Sequence, residues 1–172
     1  MVVCIAIGNT LRGDDGVAHY ALRLIATTPD DRNRVAWGPR VPADQVRLLE
    51  VFQLTPELAC IIAPADVVFF LDADSSAAEV VLAPIEMPCG NGSALAHSMS
   101  PAELVAIARH LYAFAGEAVL CRIPAKQFEF GEELTPQAKA AAESAAKMVT
   151  EYSANNCDCE KGATALKHES NG

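Results

Sequence analysis

Long apolar runs are missing from this chain. The best candidate, Ala59 to Leu71, is broken by Pro64 and Asp66 and falls short of the ~20 residues that a membrane-spanning helix requires. No basic segment precedes the apolar start Met1-Val2-Val3-Cys4-Ile5-Ala6-Ile7, which runs straight into Gly8-Asn9. No secretory leader is therefore expected, and the reading is a cytoplasmic protein. Positive charge is also short: 13 Lys and Arg against 22 Asp and Glu give a net charge of −9. Such a balance argues against nucleic acid and membrane as partners and is read as serving solubility. Paired cysteines are absent too. Cys4, Cys60, Cys89, Cys121, Cys157 and Cys159 form no CxxC, so most are expected to be buried, reduced thiols. Cys157-Asp158-Cys159 has the donors to chelate a soft metal, but no second pair completes a tetrahedral site. No internal repeat is present.

What the chain does have is apolar material. Of 172 residues, 51% are hydrophobic, enough for the core of one domain and too much for a disordered chain. Val2 to Ile7 is a continuous apolar run, as in a strand buried on both faces. A glycine-bearing loop, Gly8 to Gly16, leads into a helix with Val17, Ala21, Leu24 and Ile25 on one stripe. Residues 28–45, with three prolines and mixed charge, read as an exposed connection. Val46 to Phe52 is the second strand, and Thr55-Pro56-Glu57 has the form of a helix start. Asp66 to Leu71 is the third strand and Glu79 to Ile85 a short fourth one, where Pro84 suits an edge or a strand end. Ser100-Pro101-Ala102-Glu103 is a capping box. Ala118 to Ile123 is the fifth strand, and Thr135-Pro136 opens a last helix that runs to about Tyr152.

Strands alternating with helices predict an α/β fold, a three-layer sandwich with helices on both faces of a five-stranded mixed sheet. Only about seven residues separate Leu71 from Glu79, too few for a helical crossover, so strand four is expected to be antiparallel. Strand one is expected beside strand three. Residues 1–152 are read as the single domain, and 153–172 as a polar, flexible tail. The expected state is a monomer.

Ligands of open α/β sheets bind beyond the carboxyl ends of the strands, near a topological switch point. The polar residues there are Asp14 and Asp15 after strand one, Asp72 and Asp74 after strand three, and His97 ahead of the helix that opens at Ser100. An acid from each strand and one imidazole would make a three-ligand site suited to zinc or nickel. Each also has an ordinary structural reading: aspartates at a helix start are commonly caps, and a loop histidine is commonly solvated. His19, His110 and His168 are read as surface or helix residues without a role. The glycines of the first loop do not form G-x-G-x-x-G, no P-loop lysine follows, and two aspartates stand where a pyrophosphate would lie. G-x-S-x-G, H-E-x-x-H and a cysteine–histidine signature are equally absent.

Ala6-Ile7-Gly8-Asn9-Thr10-Leu11-Arg12-Gly13-Asp14-Asp15-Gly16-Val17-Ala18 resembles the N-terminal signature of the nickel–iron hydrogenase maturation endopeptidases. Phe70-Leu71-Asp72-Ala73, Ala96-His97-Ser98, Leu120-Cys121-Arg122-Ile123-Pro124 and Leu134-Thr135-Pro136 are similar to later elements of that family, in the same order. The resemblance implies a mixed five-stranded sheet between helices. It further implies removal of a C-terminal extension from a hydrogenase large-subunit precursor, with Asp15, Asp72 and His97 as nickel ligands and catalytic residues. The nickel would come with the precursor, as substrate, and no organic cofactor is implied. One departure bears on substrate choice: the family's Asp-Gly-Gly-Thr-like turn after strand two is replaced by Glu50-Val51-Phe52-Gln53-Leu54-Thr55-Pro56-Glu57. Metal-assisted hydrolysis follows from this set, with Asp15, Asp72 or Asp74 orienting the water. Two rivals stand beside it: a non-catalytic nickel-checking chaperone for the same precursor, and a hydrolase or phosphoryl-transfer domain holding magnesium on Asp14 and Asp72. Arg12, on the same loop, is a candidate for substrate contact.

Overall fold

The computed structural model describes residues 1–27, 45–86 and 99–156. Residues 28–44 of the expected connection 28–45 and residues 157–172 of the expected tail 153–172, with Cys157 and Cys159, lie outside the described residues, as do Cys89 and His97. The apolar run Val2–Ile7 forms β1, buried along almost its whole length because strands flank it on both sides. A 3-10 turn, Gly13–Gly16, delivers the chain into α1, Val17–Thr27. Then come β2 (Val46–Val51), α2 (Leu58–Ile62), β3 (Val67–Asp74), β4 (Val81–Pro84), α3 (Pro101–Tyr112), β5 (Glu117–Pro124) and α4 (Pro136–Asn156).

The sheet has five strands in the order β2-β1-β3-β5-β4. β1, β2, β3 and β5 run parallel, and β4 pairs antiparallel with β5. Both features agree with the sequence, and the short β3–β4 link is the reason for the reversal. β4 is an edge strand ending at Pro84, where a missing N–H costs nothing to the ladder. β3 extends two residues beyond Asp72, because Asp72, Ala73 and Asp74 keep their pairing with Arg122, Ile123 and Pro124.

Alternation along the strands splits the core in two. Val2, Cys4, Ala6, Phe69 and Leu71 pack under α1 and α4, while Val3, Ile5, Val68 and Phe70 pack under α2 and α3. Burial of Phe69 and Phe70, both wholly inaccessible, contributes about 2–3 kcal/mol each. Cys4 and Cys121 are buried thiols whose pKa values burial pushes up, for Cys121 to about 12. Cys60 is exposed. α4 continues past Tyr152 to Asn156, since Ser153 is buried and donates its hydroxyl to the Val149 carbonyl at 2.9 Å.

The chain leaves β1 toward β2 on one side and returns to β3 on the other. The switch point therefore lies between β1 and β3, and both carboxyl ends carry aspartates.

Candidate functional site

β1 ends at Ile7, and Gly8 takes φ +141°. A Cβ at Gly8 would overlap the Asp15 carbonyl, so the turn closes only over glycine. This approach holds Asp15 at the mouth of the switch point. Its carboxylate is half-buried and accepts the Asn9 N–H at 2.9 Å.

Asp14 faces the other way. It is 1% exposed and accepts the N–H groups of Lys126 (3.1 Å), Gln127 (3.1 Å) and Thr135 (2.8 Å) and the Thr135 hydroxyl (3.0 Å). Burial alone would raise its pKa, but these donors outweigh it and hold the carboxyl below its ordinary value. Through these bonds Asp14 pins the 3-10 turn to the β5–α4 connection. Oδ2 accepts three of them and Oδ1 one, so the carboxylate is turned to the protein's own donors, which weighs against Asp14 as a magnesium ligand.

Asp72 lies at the end of β3, on the face shared with Val68 and Phe70. Its pKa is raised to about 6 by burial, opposed by the Ala73 N–H and reinforced by the negative charges of Asp15 and Asp74. No cationic side chain pairs with it among the described residues. Asp74 is occupied differently. One oxygen accepts the Ser76 N–H (2.7 Å), the Ser76 hydroxyl (2.6 Å) and the Ala77 N–H (3.2 Å), and the other lies 3.6 Å from Arg122 Nη1. The Ser76 bonds first, then Arg122, hold it below the ordinary carboxylate range. Asp74 thus builds the β3–β4 turn and is poorly suited to take a proton from water.

Asp15 and Asp72 are therefore brought together, and Asp14 and Asp74 are turned to structural work. His97 lies outside the described residues. Met99, two residues later, bridges to Leu54 beyond the end of β2, and Ser100 caps α3 with the full capping box. No group of three or more metal-ligating side chains occurs among the described residues.

One residue was misread from the sequence. His19, taken for a surface or helix residue without a role, is 5% exposed. Its Nε2 lies 3.0 Å from the Gly8 carbonyl, which can only accept, so Nε2 carries the proton. Nδ1 has no hydrogen-bond partner and stands 3.7 Å from Glu50 Oε2. His19 thereby helps fix the Gly8 turn. The signal was available: it sits four residues after Asp15 and three before Leu22, on the helix face toward β1. Arg12 is partly committed as well, its Nε donating to the Phe128 carbonyl at 3.3 Å.

No family model matches the chain, and no curated protein does. Solved structures do match. A NiFe hydrogenase maturation protease, HycI, from Thermococcus kodakarensis KOD1 is 21% identical, with 90% of this chain and 92% of that one covered at a TM-score of 0.64. The hydrogenase maturating endopeptidase HybD from E. coli is 19% identical over 86% of this chain and 88% of its own, also at 0.64. HybD from Thermococcus kodakarensis is 21% identical over 88% and 98%, at 0.60. The chain thus has the fold of the solved hydrogenase maturation proteases, which is the fold the resemblance implied.

Proposed function

We propose that this chain is a nickel–iron hydrogenase maturation endopeptidase that removes the C-terminal extension of a nickel-loaded large-subunit precursor. The observation that carries the reading is the pair Asp15 and Asp72. At the switch point the half-buried Asp72 carboxylate is near enough to Asp15 to feel its charge, and no cationic side chain pairs with it among the described residues. Such a pair repels itself unless a cation or a proton intervenes. Two carboxylates and an imidazole suit a borderline divalent ion, and nickel delivered by the precursor is that ion. The shared fold and the signature Gly8 to Gly16 support the same assignment.

Asp15, Asp72 and His97 would receive the nickel. When bound, it supplies Lewis-acid polarisation of the scissile carbonyl. The chain's own contribution is positioning and proton transfer. Gly8 and His19 set the Asp15 turn, and one of the two carboxylates, Asp15 or Asp72, orients the attacking water and takes its proton. Water adds to the carbonyl carbon, the C–N bond breaks, and the proton passes to the leaving amine. A cytoplasmic setting and a monomeric enzyme belong to this reading.

The test is to incubate nickel-loaded precursor with the protein and weigh the product. Loss of the C-terminal extension is expected. Binding without cutting would instead identify a nickel-checking module.

A further inference from the structure

The connection from β5 to α4 is a loop with little freedom. Asp14 ties its two ends through Lys126, Gln127 and Thr135. In between, the Gly13 N–H donates to the Gly131 carbonyl (2.7 Å), the Gly131 N–H to Leu11 (2.9 Å), and the Asp14 N–H to Gln127 (2.8 Å). Gly13, at φ +53°, is needed for this approach, since a Cβ there would stand 2.9 Å from the Gln127 carbonyl oxygen. Phe128 and Leu134 fold inward against the α1–α4 core. Phe130 does the opposite and is 89% exposed.

Scattered exposed apolar residues are normal and need no explanation. This one differs in its frame and its surroundings. A large ring held outward by a pinned loop loses little freedom on binding, the property of a preorganised anchor. Glu129, Glu132 and Glu133 flank it along the chain, all exposed and without an ion-pair partner among the described residues. The loop is hydrogen-bonded to the turn that carries Asp15, so whatever seats on it is held beside the site.

We propose that Phe130 and the glutamates that flank it in the loop form the docking element for the precursor, seating in an apolar hollow rimmed by lysine or arginine. This rests on the proposed function, since it takes the precursor as partner. Charge complementarity selects the occupant: an acidic loop disfavours a second copy of this chain, whose net charge is −9, and favours a basic rim.

The test uses the full chain and nickel-loaded precursor. Cleavage kinetics give KM, and Asp15→Asn protein, expected to bind without cutting, gives Kd by titration of labelled precursor. Phe130→Ala is expected to raise both KM and Kd at least tenfold, with a smaller change in kcat and an unchanged thermal midpoint. Leu111→Ser, at an exposed apolar residue near the end of α3, should change neither. The triple variant Glu129→Gln, Glu132→Gln, Glu133→Gln should weaken binding at low salt and flatten its salt dependence. Unchanged KM and Kd in Phe130→Ala, with normal cleavage by the parent protein, overturn the docking element alone. A dimer that dissociates on Phe130→Ala would likewise contradict it, by naming a second copy as the occupant. Failure of the parent protein to cut any precursor removes the functional reading, and the docking proposal with it.

Discussion

At Asp14 and Asp15, adjacent residues of identical chemistry are expected to respond oppositely to the same substitution. Asp14→Asn would set an amide N–H₂ among donors that need an acceptor, and should cost roughly 3 kcal/mol of stability. Asp15→Asn retains an acceptor for the Asn9 N–H and should leave the unfolding midpoint nearly unchanged while abolishing cleavage. Urea denaturation of both variants checks this. Asp72 gives a pH-dependent effect in the metal-free protein. Its folded pKa, about 6, lies above the ordinary 3.8, so the folded state binds the proton more tightly than the unfolded chain. That contribution is complete below the lower value and is lost as pH rises through the upper one. Asp72→Asn should therefore stabilise at pH 7, by about 2–3 kcal/mol, and lose that advantage near pH 4. A variant that is equally stable at both pH values relative to the parent would contradict the burial of this charge.

That Asp15 and Asp72 follow neighbouring strands at the switch point was legible in the sequence, because strand ends are set by short apolar runs such as Val2–Ile7 and by the turn residues after them. The separate roles of Asp14 and Asp74 were not. Their partners are backbone N–H groups of distant segments, and no residue type marks those. His19 was legible only in part: its place on the helix face toward β1 marks it as buried, but its partner is the carbonyl of Gly8, which any residue would also carry.

Among the elements, α3 shows local sequence acting for and against stability. Ser100 and Glu103 make both bonds of the capping box, so Ser100→Ala should destabilise by about 1 kcal/mol. At the other end Ala113 closes the helix in the left-handed region, φ 55° and ψ 34°, where a Cβ is strained. Ala113→Gly should stabilise by about 0.5–1 kcal/mol. Thermal melts of the two variants should therefore move in opposite directions. The capping box was plain in the sequence because its residue types and spacing are themselves the mechanism. Helix and strand ends were less so: β3 continues through Asp74 on ladder pairing alone, and α4 passes Tyr152 because Ser153 satisfies its hydroxyl within the helix.

For the whole molecule, the strand order β2-β1-β3-β5-β4 sets the carboxyl ends of β1 and β3 side by side in the middle of the sheet. The 3-10 turn and the β5–α4 loop lock together there. Alternation of strands and helices and one short link made this architecture readable in advance. The exposed ring of Phe130 was not readable, since its outward setting depends on hydrogen bonds from the first loop. The central claim is that Asp15 and Asp72 act together on a nickel-bearing precursor. It is tested most directly by mass spectrometry of one large-subunit precursor, nickel-loaded and nickel-free, after incubation with the parent protein, Asp15→Asn and Asp72→Asn. The account predicts loss of the C-terminal extension only with nickel and only with the parent protein. Cleavage of the nickel-free precursor, or undiminished cleavage by either variant, would contradict it.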